Sequence, residues 1–192
     1  MPTFYEGNPI ETVEQIISEQ DYADAYYAAH SSSALLHRRD VQAGICLSLA
    51  VLCASVIPLY RARFSTFWGP VCGILAFLAL AAVFFFLKPQ DTKNWARRLY
   101  RSNALMALPQ KVTVYRDSIV LENGRERFSE YWTDFSGCVE TKDAFILTGG
   151  RERLLLLIKK KGLSPERQNM LSAHFADAFA YRFRKFGRQG GT

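Results

Sequence analysis

The sequence predicts an α+β membrane protein, a two-helix transmembrane hairpin followed by an antiparallel sheet that is capped by a C-terminal helix. Three observations carry this. Residues 41–60 and 64–87 are two runs without a charged side chain, separated only by Arg61-Ala62-Arg63. A helix rises about 1.5 Å per residue, so about 20 apolar residues cross a hydrocarbon core of about 30 Å, and each run has that length. After Gln110 the apolar period switches to two, the mark of half-buried strands, and Ser164-Pro165-Glu166 then opens a last helix. Inside hydrocarbon a backbone must satisfy its own hydrogen bonds, which excludes an open sheet from the two runs. A chain of 192 residues has too little remaining sequence to bury two such helices in a soluble core.

The elements follow in chain order. Val13 and Ile17 share a face in a strand and Val13, Ile16 and Ile17 also fit a helix; residues 12–17 are read as a short strand. Ser18 is an N-cap with Asp21 three positions on, and Tyr22, Tyr26, Ala29, Ser33 and Leu36 form one face of a helix that can run on into the first span at Val41. No basic segment leads an apolar stretch here, so no cleavable signal peptide is expected and the first span itself directs insertion. Pro58 sits near the outer end of that span, where a helix can stop without losing many bonds. Tyr60, Phe67 and Trp68 fall where amphipathic aromatics gather at an interface. Gly44, Ala50 and Ala54 on one helix, and Gly69, Gly73, Ala76 and Ala79 on the other, are small enough for close helix contact. Apart from cysteines and Tyr60 the spans carry no ionisable group, which favours an anchor over an ion path. Arg38 and Arg39 before the hairpin, with Lys88, Lys93, Arg97, Arg98 and Arg101 after it, outnumber Arg61 and Arg63 in the connector. Lys and Arg favour the cytoplasmic side, so both termini are expected there.

Residues 88–108 read as a basic juxtamembrane helix. Pro89 breaks or bends the exit from the span, Asp91 or Thr92 can cap a new helix, and Trp95, Leu99, Ser102 and Met106 share one side. Strands then follow at Val112 and Val114, and at Ile119 and Leu121, with a turn at Arg116-Asp117. Asn123-Gly124 reads as a tight hairpin turn whose central residues take positive φ. Further strands fall near 125–131, over 132–141 with a bulge near Gly137, and at 144–148 and 153–158 around Gly149-Gly150. Residues 154–158 are apolar without interruption, as expected of a strand buried on both faces or covered by a helix. In the last helix Leu171, Phe175, Ala178, Phe179, Arg182 and Phe186 trace a core stripe, while Arg182, Arg184, Lys185 and Arg188 complement the dipole of its final turns. The expected organisation is therefore an N-terminal strand and helix (1–40), the hairpin (41–87), the basic helix (88–108), the sheet domain (109–188) and a disordered tail (189–192).

The run Val112-Thr-Val-Tyr-Arg-Asp-Ser-Ile119, then Tyr131-Trp132-Thr-Asp-Phe135, Val139-Glu-Thr-Lys-Asp143 and Phe145-Ile-Leu147, resembles the YcxB-like family of bacterial membrane proteins. The Ser18-to-Tyr22 helix start and the two spans between the halves are similar too. The resemblance implies a pleckstrin-homology-like cytoplasmic domain, a curved sheet with a C-terminal helix, in a multi-pass protein of the bacterial inner membrane. It carries over no catalytic residues.

Charge is unevenly placed. The net +6 divides into −5 over residues 1–40, +2 from Arg61 and Arg63, and +9 over residues 88–192. A basic domain beside a membrane is attracted to anionic headgroups, at about 1 kcal/mol per Lys or Arg. Arg97, Arg98, Arg101, Lys159, Lys160 and Lys161 are the candidate lipid contacts. There is no nucleic-acid motif, and nucleic acid is not expected as a partner. The four cysteines lack metal-ligand spacing, so no metal, disulfide or cofactor is expected. His174, Cys138 and the carboxylates Asp134, Glu140 and Asp143 have no nucleophile–base pairing or phosphate loop beside them, and no catalytic residue is assigned. The expectation is a non-enzymatic, membrane-anchored interaction module whose partners are membrane lipids and an unidentified protein. The alternative is an immunity protein against a membrane-acting toxin. A small transporter or channel subunit is third. The sheet edges and transmembrane faces can also support a homodimer.

Overall fold

The computed structural model describes residues 7–32, 39–64 and 68–186. Expectations placed on Ser33, Leu36, Arg38, Phe67 and residues 188–192 lie outside these. The chain forms two units, Met1–Ser32 with Trp95–Thr192, and Ser33–Asn94.

The first unit is built on two four-stranded sheets. In one, β1 (Glu11–Gln15), β2 (Gln110–Val114), β3 (Ser118–Asn123) and β4 (Arg127–Tyr131) lie in that order, all antiparallel. In the other, β5 (Gly137–Glu140) lies between β6 (Ala144–Thr148) and β8 (Phe183–Lys185), and β7 (Leu155–Lys159) lies outside β6. Only the β5–β8 pair is parallel. Alternation along each strand turns Val13, Val112, Val114, Ile119, Leu121, Phe145, Leu147, Leu156 and Ile158 into one core. Helix α5 (Pro165–Phe179) closes this core with Leu171, Phe175 and Phe179. Trp132 lies among Phe175, Phe179 and His174 with ring centroids 5.6–6.0 Å apart, and its indole N–H donates to the Arg116 carbonyl at 2.8 Å. The open face of the first sheet is polar, where Glu14, Lys111, Glu122 and Arg127 pair in register as a ladder of alternating sign.

The second sheet is covered on its other face as well. Helix α1 (Glu19–Ser32) lays Tyr22, Ala25 and Ala28 over Val139, Ile146, Leu155 and Leu157, joined by Ala96, Leu99 and Tyr100 of a later helix. This double cover accounts for the apolar run in β7, with Leu155–Ile158 buried and Leu154 left exposed outside the strand. Helix α1 starts as expected: Ser18 and Asp21 exchange hydrogen bonds of 2.7–3.1 Å across a capping box. The strand before it joins the same unit. Gln15, 8 % exposed, donates to the Leu157 carbonyl at 2.6 Å and accepts from the Lys159 N–H at 2.8 Å, so its amide stitches the edge of β1 to the edge of β7. Segments 1–32, 95–108 and 109–186 thus build one unit, with boundaries that differ from those drawn at residues 40 and 108.

Four local readings are corrected. The last helix does not run to Phe186. Ala180 turns out of it at φ 46°, and after a short 3₁₀ turn Phe183–Lys185 becomes β8. Arg184 and Lys185 therefore sit on a strand and not on a helix dipole. Gly137 permits this, since a Cβ there would stand 3.0 Å from the Arg182 carbonyl oxygen. At Asn123-Gly124 neither residue has positive φ. The Asn123 side chain instead accepts from the N–H groups of Arg125 and Glu126, both at 2.9 Å, and makes the turn itself. Residues 132–134 form a 3₁₀ turn ahead of β5, capped by Asp134. The β6–β7 connection is longer than a two-glycine turn and closes with Gly149 N–H on the Leu154 carbonyl at 2.8 Å.

In the second unit, α2 (Arg39–Phe64) and α3 (Trp68–Ala82) form a hairpin. Val41–Leu59 of α2 and the continuous helical stretch Trp68–Ser102 that begins with α3 are long and apolar enough to cross a membrane, yet only 17 % and 6 % of their most apolar windows are buried. Ala43, Cys46 and Ala50 of α2, and Pro70 and Ala81 of α3, are the buried residues, and Gly73 admits the Cys53 side chain to 3.1 Å of where its Cβ would be. Ala50 and Gly73 are thus among the close-contact residues, whereas Ala54, Gly69, Ala76 and Ala79 are exposed and no atom of a neighbouring element stands within 4 Å of where a Gly44 Cβ would be. Pro58 does not end α2, which continues to Phe64. Pro89 likewise lies inside α4 (Lys88–Ser102). Its lost N–H is absorbed because Val83–Leu87 is a π-turn, with Lys88 N–H reaching back to the Val83 carbonyl, which widens the helix just ahead of the proline ring.

Candidate interaction cleft

A cleft of about 770 Å³ opens in the first unit. Such volumes suit a small ligand or a peptide side-chain cluster. One wall is α1, which presents Asp21, Asp24 and the small residues Ala25 and Ala28. The opposite wall is the β5–β6 turn, with Lys142 and Asp143, and the end of β7, with Lys159, Lys160 and Lys161. The turn is rigid: Thr141 N–H and its hydroxyl both donate to the Ala144 carbonyl at 2.9 Å, and the Ala144 N–H returns a bond to the hydroxyl at 3.0 Å. The Lys160 N–H fixes Asp143 from the other side through its carbonyl at 2.8 Å. Leu157 and the two alanines form an apolar floor beneath a rim of both signs.

Behind the cleft lies a buried charge cluster. Glu140 accepts from the Lys160 ammonium at 2.7 Å and from the Ser172 hydroxyl at 2.8 Å, and pairs with Lys185 at 3.1 Å. Lys160 is 8 % exposed, donates also to the Thr141 carbonyl at 2.7 Å and lies 4.4 Å over the Phe145 ring. Burial alone would raise the Glu140 pKa, but hydrogen bonds from Lys160, Ser172 and Lys185 outweigh it and hold the carboxyl below its usual range. Asp21 is lowered in the same way, burial being outweighed by bonds from Lys159 and Ser18.

The six cations named from sequence do not form one surface. Arg101 makes two bonds to Glu19, at 2.9 and 3.1 Å. Arg97 donates to Gln20 at 2.8 Å, and Lys159 to Asp21 at 2.7 Å. Lys160 is internal, as above. Arg98 and Lys161 are exposed and have no partner among the described residues. The acidic start of α1 therefore satisfies much of the basic stretch, at sequence separations that no local reading could pair.

The other chemical candidates hold structural positions. Asp134 caps the 3₁₀ turn 3.9 Å from Arg151, Glu140 belongs to the charge cluster and Asp143 to the cleft rim, so the three carboxylates do not converge. Burial pushes the Cys138 thiol far above its usual range, the reverse of an activated nucleophile. Burial lowers the His174 pKa against bonding from Tyr115, and its ring stands edge-on to Trp132. Among the described residues no three of His, Cys, Asp and Glu come together as metal ligands. Set against known proteins, the chain matches no family model, no curated protein and no solved structure.

Proposed function

We propose that this chain is an integral protein of the bacterial inner membrane, a hairpin anchor carrying a cytoplasmic, pleckstrin-homology-like domain that works as a non-enzymatic interaction module. One observation carries the reading: two long apolar helices whose side chains face outward, with Val51, Leu52, Leu59, Leu75 and Phe86 each more than 60 % exposed. Bare in water, such a surface far exceeds the apolar patch of a soluble monomer. In lipid it is the ordinary face of a span.

The register of β1 with β2 supports an even number of crossings. These strands flank the hairpin in sequence and pair residue for residue, so the chain enters and leaves the bilayer on one side. The excess of Lys and Arg at the flanks makes that side the cytoplasm. A four-strand meander, a three-strand meander and then a helix is the order a pleckstrin-homology-like, YcxB-like domain would have, with the hairpin inserted after the first strand. The mixed rim and apolar floor of the cleft suit a protein segment better than a uniformly anionic headgroup, and lipid contact narrows to Arg98 and Lys161.

Alkaline carbonate extraction of membranes holding the full chain tests the anchor, and recovery in the soluble fraction overturns it. Impermeant maleimide tests the topology in a background with Cys46, Cys53 and Cys72 replaced by alanine: Arg61→Cys reacts in intact cells and Lys142→Cys only after lysis. The opposite pattern inverts the orientation. A photo-crosslinker at Lys142 is expected to yield an adduct that Lys161→Glu abolishes, and identical yields in both backgrounds reject the cleft.

A further inference from the structure

The π-turn at the end of the second apolar helix opens a groove of about 540 Å³ whose chemistry changes along its length. Val83, Phe84 and Leu87 line its apolar half, and Lys88, Gln90, Asp91 and Asn94 its polar half. We propose that this groove seats one phospholipid with a zwitterionic, primary-amine headgroup, of the phosphatidylethanolamine class. The inference rests on the membrane reading above.

The argument is charge complementarity. Lys88 and Asp91 are three residues apart, so they share a helix face with about 4.5 Å of rise between them. The two-carbon spacer of ethanolamine separates its phosphate from its ammonium by a similar span. The Lys88 ammonium donates to the Gln42 side chain at 2.8 Å and lies 5.5 Å over the Phe84 ring, which pins it at the groove and leaves donor capacity for a phosphate oxygen. Asp91 is exposed and has no partner among the described residues. A purely anionic headgroup would satisfy Lys88 and be repelled by Asp91. A choline headgroup would bring the positive charge but no N–H to donate. Only the primary ammonium answers both residues, while an acyl chain lies along Val83, Phe84 and Leu87.

The test uses the full chain, reconstituted into bilayer discs of equimolar phosphatidylethanolamine, phosphatidylglycerol and phosphatidylcholine with identical acyl chains. The protein is then exchanged into mild detergent, and retained lipid is identified by native mass spectrometry. The wild type is expected to retain phosphatidylethanolamine at least threefold over either competitor, and the preference is expected to fall stepwise as the amine is methylated. Asp91→Asn, at an exposed position, is expected to bring retention to the proportions of the mixture, and Lys88→Gln to reduce retention of all three lipids. Statistical retention by the wild type overturns the proposal, as does an undiminished preference in Asp91→Asn. If the wild type resists carbonate extraction yet retains lipid statistically, this site fails and the anchor stands. If carbonate strips the protein, both fail.

Discussion

Replacing Glu140 by glutamine is expected to destabilise the β unit by about 2–3 kcal/mol. The substitution preserves shape but removes the charge facing Lys160, whose side chain is 9 % exposed, and Lys185, whose side chain is 43 % exposed. Breaking a buried pair from one side typically costs about 3–5 kcal/mol, because the remaining charge stays desolvated. Two features lower the figure here. Lys160 keeps its bond to the Thr141 carbonyl and its seat over Phe145, and Lys185 can turn to water. At about 2–4 °C per kcal/mol for a chain of this size, the loss appears as a fall in Tm of about 4–12 °C. The assay is thermal unfolding of the full chain in mild detergent, followed by near-ultraviolet circular dichroism. The pH dependence gives a second readout. The folded carboxyl lies below its unfolded value of 4.5, so its contribution is complete above that value and is lost as pH falls through the lower, folded one. The wild type should therefore lose stability on acidification through and below pH 4.5, and Glu140→Gln should show a shallower acid limb. A cost under about 1 kcal/mol, or an unchanged acid limb, would refute the account of this cluster as a stabilising pair.

Phe175→Ala removes a fully buried ring from among Trp132, Phe145 and Phe179, and is expected to cost about 3–5 kcal/mol in the same melt. Gly149 and Gly162 separate backbone strain from crowding. Both have positive φ, but a Cβ at Gly149 would overlap the Ser136 side chain while none is hindered at Gly162. Gly162→Ala should cost about 1 kcal/mol and Gly149→Ala distinctly more, and equal losses would reject the contrast. Gln15→Leu orphans the Leu157 carbonyl and the Lys159 N–H, at about 1–3 kcal/mol each, and hydrogen exchange should show faster exchange at Lys159 while β3 stays protected.

Local chemistry was legible in the sequence at several element starts, though not at the Asn123 side-chain turn. The Ser18 cap, the Ser164-Pro165 start and the two charge-free runs each set an element through neighbours within a turn or two. What escaped depends on distant partners. Arg182 and Phe186 continue the spacing of the α5 stripe, so only the pairing of Phe183–Lys185 with β5 reveals that the chain has left the helix. The basic residues were visible as charges, but Glu19 lies 82 positions from Arg101, and Asp21 lies 138 from Lys159, so their pairing was not. The cleft needs Ala25 and Ala28 opposite the Thr141 turn, a juxtaposition created only when α1 covers the second sheet. Pro58 reads as a place where a helix can stop and Pro89 as a break or bend, and the π-turn is what lets the second remain inside.

The interruption between β1 and β2 has a consequence for biosynthesis. The ribosome releases β1 long before its neighbour exists, and if the hairpin spans a bilayer as proposed, everything between β1 and residue 110 must be threaded, inserted and turned back before the first sheet can close. A misinserted nascent chain, with one span translocated and the other stranded, would leave its earliest strand on the wrong side for pairing. Closure of the first sheet would thus proofread insertion of the proposed hairpin, and a quality-control protease would find its substrate among chains whose opening strand never met its mate.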